Sequence, residues 1–126
     1  MEHFKMNFDT KKCIITVRYY NVTYYKTLLE SLSELLTLKI RKRVRIVLDF
    51  SEVKSFLINY CQINNFRKSL KALLNVKASR IAIINAPEAS WGDIVCIPAP
   101  PIENDYFKFD MRSFGAQQKS EAYRWV

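Results

Sequence analysis

A chain of 126 residues with 49% hydrophobic and 25% charged side chains has the size and make-up of one globular domain, without room for a second independent core. One His, two Gly and three widely spaced Cys exclude most catalytic and cofactor classes, because no imidazole pair, Gly-rich phosphate loop or cysteine pair at metal spacing can be assembled. The net charge of +8 points to anionic partners as a class without choosing among them.

Phe4, Met6 and Phe8 alternate with Lys5 and Asn7, and the polar stretch Asp9 to Lys12 precedes the apolar Cys13 to Tyr19. Two strands joined as a hairpin are predicted. Thr23 is placed to cap a helix in which Tyr25, Leu28, Leu29, Leu32, Leu35 and Leu36 recur at steps of three and four, with Lys26, Glu30, Ser33, Glu34 and Thr37 on the other face. Val44 to Phe50 is nearly continuous in apolar residues, which suits a central strand covered on both faces. Ser51 to Ser55 read as a loop. Phe56 to Leu74 read as a second helix, with Tyr60, Ile63, Phe66, Leu70, Leu73 and Leu74 inward and Asn64, Arg67, Lys68 and Lys71 outward. Arg80 to Asn85 is another short buried strand, and strands alternating with helices imply parallel pairing. A short helix near Ser90 to Cys96 is expected next, then an extended Pro98 to Pro101, a last strand over Tyr106 to Met111, and a closing helix over Gln117 to Val126 with Ala122 and Trp125 turned inward. No linker divides this plan, so residues 1–126 read as a single domain.

Cys13, Cys61 and Cys96 are odd in number and set among apolar neighbours, which reads as reduced core thiols of a cytoplasmic protein. No stretch is long and apolar enough for a transmembrane segment. His3 lies near the start of the chain and has no second imidazole to work with, so general-base and triad mechanisms lack a centre. A non-enzyme is expected, with no cofactor and no metal. The charge excess is local: residues 1–38 sum to +1, residues 39–80 to +9 and residues 81–126 to −2. Lys39, Arg41, Lys42 and Arg43 open the basic third, and Arg67, Lys68 and Lys71 continue it along the second helix. These seven are the candidate anion-binding residues, toward nucleic acid or anionic lipid.

The order of hairpin, helix, strand ending Leu48-Asp49-Phe50-Ser51-Glu52-Val53, helix, strand Arg80-Ile81-Ala82-Ile83-Ile84, late strand and closing helix resembles the STAS family of anti-sigma-factor antagonists and anion-transporter cytoplasmic domains. Ala122-Tyr123-Arg124-Trp125-Val126 is similar to the ending of its SpoIIAA-like branch. The resemblance implies an α/β fold with a mixed, mostly parallel central sheet, an N-terminal hairpin and packed helices. It also implies a regulatory module that engages a protein partner or a small ligand, through the loops at the strand C-terminal ends or the exposed face of the second helix, with a homodimer as a further expectation. Asp49, Ser51, Ser55 and Asn59 are the candidate residues of the loop after the central strand, Asp49 chiefly as an acceptor for backbone N–H groups. In the antagonists an Asp-Ser-Ser/Thr-Gly turn at the following helix is phosphorylated. Here Phe56-Leu57-Ile58-Asn59-Tyr60 stands in its place, so the family's usual phosphoswitch is not expected. The Gly that relatives often carry before the first helix is replaced by Tyr20-Asn21.

Overall fold

The first two strands meet because their connection supplies its own hydrogen bonds. In the structure, a computed structural model that describes residues 3–38, 43–76, 78–86 and 111–126, Asp9 Oδ1 accepts the backbone N–H groups of Lys11 and Lys12, each at 3.1 Å. Cys13 then turns through the left-handed region at φ 54°, which brings Ile14 opposite Asp9. The hairpin so formed is β1 (Phe4–Asp9) and β2 (Ile14–Tyr24). The described chain continues with α1 (Tyr25–Thr37), β3 (Val44–Leu57), α2 (Tyr60–Val76), β4 (Ala78–Ile84), β5 (Met111–Phe114) and α3 (Lys119–Trp125). The five strands form one sheet in the order β1-β2-β3-β4-β5, antiparallel between β1 and β2 and parallel elsewhere. The fold is α/β with a mixed sheet, and β3 is its central strand, as the apolar run from Val44 predicts.

The alternation of side chains along each strand sends two different sets to the two faces. One face carries Ile15, Val17, Tyr19, Ile46, Leu48, Phe50, Ile81 and Ile83, and it is covered by α1 through Leu28, Leu32 and Leu35 and by α2 through Ile63, Phe66, Leu70 and Leu73. Each of these buried side chains stabilises the fold by roughly 1.5–3 kcal/mol. Tyr19 stacks on Phe50 at 4.3 Å between ring centroids, with 4° between the planes. Its hydroxyl lies 2.7 Å from Ser31 Oγ, and Ser31 spends its own hydrogen on Leu28 O at 2.8 Å, so Tyr19 is the donor of the pair. Burial pushes the Tyr19 hydroxyl well above the usual tyrosine range, an effect its hydrogen bond to Ser31 opposes only in part.

The other face carries a smaller apolar set, Ile14, Val47, Ala82, Ile84 and Phe114, against Ala122 and Val126. Only α3 covers it among the described helices. That helix has 7 residues, too few to be stable alone, and side chains from the sheet hold it at both ends. Lys119 Nζ at its start lies 2.8 Å from Asp49 Oδ2 on β3. At its end Arg80 donates to Trp125 O at 2.7 Å with its guanidinium 5.0 Å from the Trp125 ring, and Arg45 donates to Val126 O at 3.3 Å. Cations at the last carbonyls also oppose the negative end of the helix dipole.

Several expectations change. Ser51 to Ser55 are not a loop, because β2 runs on to Tyr24 and pairs β3 as far as Leu57. Burial of Val53 and Phe56 outweighs the polar composition between them. Two register shifts accommodate the long pair, one beside Asn21, which adopts φ 60°. The second helix accordingly begins at Tyr60 rather than Phe56. Thr23 is a buried strand residue and caps nothing; α1 starts at Tyr25, where Tyr24 N donates to Thr27 Oγ1 at 3.4 Å. Leu29 and Leu36 lie outside the core at 44% and 49% exposure, since a helix laid on a sheet buries a narrower stripe than the sequence offers. Cys61 is exposed and Cys13 only half-buried, so neither is the core thiol expected. The closing helix is shorter than expected, with Ala122 buried and Trp125 half-buried. The helix expected near Ser90 to Cys96, the extended Pro98 to Pro101, residues 106–110 of the last strand, and Cys96 lie outside the described residues.

Candidate functional site

Because α3 lies over β3, β4 and β5 and meets only the near edge of β2, through Ile14 and Thr16, most of the hairpin half of the second face is open among the described residues. There β1 contributes Lys5, Asn7 and Asp9, and β2 contributes Ile14, Thr16 and Arg18, as cross-strand neighbours in register. Tyr20, Arg45 and Glu52 line the same space from further along β2 and from β3, and Tyr123 closes one side from α3, its hydroxyl 3.0 Å from Thr16 Oγ1. Met6 and Lys12 complete a groove of about 650 Å³. This volume is within the range of small-molecule sites, roughly 300–1,000 Å³.

The groove is cationic on balance, since Lys5, Lys12, Arg18 and Arg45 face Asp9 and Glu52. Some of these charges are already engaged. Asp9 holds the hairpin turn, and Arg45 donates to the backbone oxygens of Val126 and Lys12. Arg18 Nε lies 3.7 Å from Asp49 Oδ2, an ionic contact too long for a hydrogen bond. Among the described residues no acceptor takes a hydrogen bond from the Arg18 guanidinium.

The four loop candidates occupy separate places. Asp49 is fully buried on the groove side of β3, where its Oδ1 accepts Ser51 N at 2.9 Å and Ser51 Oγ at 2.6 Å. Its Oδ2 has no aligned hydrogen bond and is held by charge, closely by Lys119 and more distantly by Arg18. Asp49 and Ser51 are therefore brought together, but around α3 rather than around a loop. Ser55 lies further along β3, half-buried and opposite Val22. Asn59 caps α2: its Oδ1 accepts Gln62 N at 2.9 Å while its own N–H donates to Gln62 Oε1 at 3.0 Å.

Of the anion-binding candidates, Lys39, Arg41 and Lys42 lie outside the described residues. Arg43 is exposed and donates to Ala78 O at 3.3 Å. Lys68 and Lys71 are exposed on α2 and Arg67 is half-buried there, across the sheet from the groove. Sequence reasoning missed Lys5, Lys12, Arg18, Arg45, Tyr20 and Tyr123. A usable signal was present in the polar alternation Lys5, Asn7, Asp9 and Thr16, Arg18, which marks one side of the hairpin as polar throughout.

Imidazole and thiol are not among the groove's described lining, which offers guanidinium, ammonium, hydroxyl, amide and carboxylate groups. Among the described residues no group of three or more His, Cys, Asp or Glu is placed to hold a metal ion, and no helix is long and apolar enough to cross a membrane. No protein-family model matches the chain, and no curated protein matches it in sequence.

Proposed function

We propose that this chain is a non-enzymatic binding module of the STAS kind, and that its ligand face is the hairpin half of the sheet, open among the described residues, rather than the loop after β3. The carrying observation is the groove of about 650 Å³ beside α3, whose side chains suit recognition by charge and hydrogen bonding. The sequential sheet order with its antiparallel first pair supports the STAS-like reading. So does Asn21, which takes a left-handed conformation near the position where relatives carry Gly. The module works without the family's phosphoswitch: both Asn59 groups that face α2 are engaged as its cap, and the nearby Ser51 hydroxyl donates to Asp49.

The experiment is a small-molecule panel screened by thermal shift on the whole chain, with each hit mapped by amide chemical shifts. Hits that perturb β1, β2 and Tyr123 are expected. A panel in which nothing perturbs the groove would refute the reading. The competing role, engagement of nucleic acid or acidic lipid through residues 39–80, is measured alongside with a labelled oligonucleotide and anionic vesicles from about 50 to 200 mM salt. Tight binding that survives the upper end and is lost when Arg41, Lys42 and Arg43 are replaced by Ser would favour that role instead. Stoichiometric phosphate on Ser51 or Ser55 in protein from its native cells, altering partner binding, would restore the switch.

A further inference from the structure

The most informative feature of the groove is a pair of like charges that the fold places side by side. Lys5 on β1 and Arg18 on β2 are direct cross-strand partners, and both line the groove. Side chains so paired have Cβ atoms about 5 Å apart, and like charges at that separation destabilise a sheet. Among the described residues Glu52, the groove's other carboxylate, forms no ion pair with either. Asp9 is occupied by the hairpin turn, and Asp49, the ionic neighbour of Arg18, is closer to Lys119, at 2.8 Å against 3.7 Å. Among the described residues Lys5 has no ionic partner, and Arg18 keeps donors unspent.

We propose, on the basis of the binding-module reading above, that this rung is an anion-recognition site and that the groove takes a small organic dianion, a phosphomonoester or a dicarboxylate. The chemistry of the pair selects the ligand. A guanidinium offers a planar fork that matches two oxygens of a carboxylate or phosphate, and a neighbouring ammonium adds a point charge to the same group. The anion relieves the repulsion between Lys5 and Arg18, so the site is strained when empty and settled when filled. The surroundings argue for a small molecule rather than a polymer. Asp9 and Glu52 flank the cations and would repel a continuous phosphate backbone, whereas a compact dianion can sit between the charges. Tyr20 and Tyr123 offer ring surface and hydroxyls to an organic body, which a bare inorganic ion would leave unused.

The test is a titration of the whole, isotope-labelled chain with inorganic phosphate, glucose 6-phosphate, succinate and, as a neutral control, glucose, all at one ionic strength. Saturable amide shifts in residues 4–7 and 16–20 are expected with the organic dianions, weaker ones with inorganic phosphate and none with glucose. The phosphate and succinate arms separate the two anion types. Lys5→Gln, which disturbs no described partner, is expected to weaken binding about tenfold, and Lys5→Glu to abolish it. Arg18→Gln should also abolish it, but Lys5 decides, because Arg18 also contacts Asp49. Lys68→Gln on α2 should change nothing. Dianion shifts that localise to α2, or a Lys5→Gln chain that binds as well as the parent, would overturn the proposal. If neutral molecules fill the groove and dianions do not, the proposal fails while the groove remains a binding site. If nothing enters it, both fail.

Discussion

Replacing Lys119 by Met tests how α3 is held to the sheet, because it strips the nearest cation from a carboxylate that is fully buried. At 2.8 Å and an effective dielectric constant of about 20, the gross attraction is about 6 kcal/mol. The Lys119 side chain is 38% exposed, so desolvation and solvent screening take back much of this, and a net loss of about 2–3 kcal/mol is expected. Arg18 is 46% exposed and lies further away at 3.7 Å, so Arg18→Met should cost only about 1 kcal/mol. The sharper expectation concerns the double variant. Asp49→Asn keeps an acceptor for Ser51 and removes the buried charge, so combining it with Lys119→Met should recover stability relative to Lys119→Met alone. Urea denaturation of the four chains measures the cycle, and amide exchange in residues 119–125 reports whether α3 detaches locally. A Lys119→Met chain within about 0.5 kcal/mol of the parent, or a double variant less stable than Lys119→Met, would refute charge pairing as the anchor of α3.

Tyr19→Phe should cost about 1 kcal/mol, since Ser31 keeps its bond to Leu28 O and loses only the Tyr19 donor. The folded state holds the Tyr19 proton to higher pH than the unfolded state, so its contribution is full below about pH 10 and is lost as pH rises above that. Denaturation midpoints on that alkaline limb should fall less steeply in the Phe variant. Asn59→Ala removes the Oδ1 acceptor of Gln62 N, leaves the backbone donor to Gln62 Oε1 in place, and should lower stability by about 1 kcal/mol, read from urea midpoints. Ile46→Asp places an unpaired charge at a core position that is 1% exposed, and circular dichroism should show no cooperative unfolding transition.

Where a segment's fate depended on its own periodicity, the sequence was a good guide. Phe4, Met6 and Phe8 against Lys5 and Asn7 carry the alternation of a strand, and the nearly continuous, β-branched apolar run of Val44 to Phe50 suits a covered one. Where the outcome depended on a distant partner, it was not. Ser51, Glu52, Lys54 and Ser55 are poor strand residues by composition, and they are extended because β2 lies alongside them as far as Tyr24. That extension carries an extra residue on β3, Lys54, beside Asn21 at φ 60°, an irregularity that no local pattern announces. Leu29 and Leu36 fit the helical stripe as well as Leu32 does, and only the angle at which α1 meets the sheet decides which are covered.

The groove was less legible for a related reason. Charge density along the chain drew attention to residues 39–80, but a field is set by what folding brings together, and the first 38 residues, with a net charge of only +1, supply three of the groove's four cations. Of the acidic residues in that same stretch, Asp9 holds the hairpin turn and Glu30 lies 3.9 Å from Lys26 on α1, away from the groove. A hairpin with one apolar side and one polar side ordinarily shows the polar side to water and nothing more. What distinguishes this one is the pairing of Lys5 with Arg18 beside an α3 wall held by Asp49, so the buried carboxylate that read as a loop acceptor shapes the groove without lining it. Its role is positional: loss of the Asp49 to Lys119 contact should move Tyr123, and with it one side of the groove, before it alters any charge that a ligand meets.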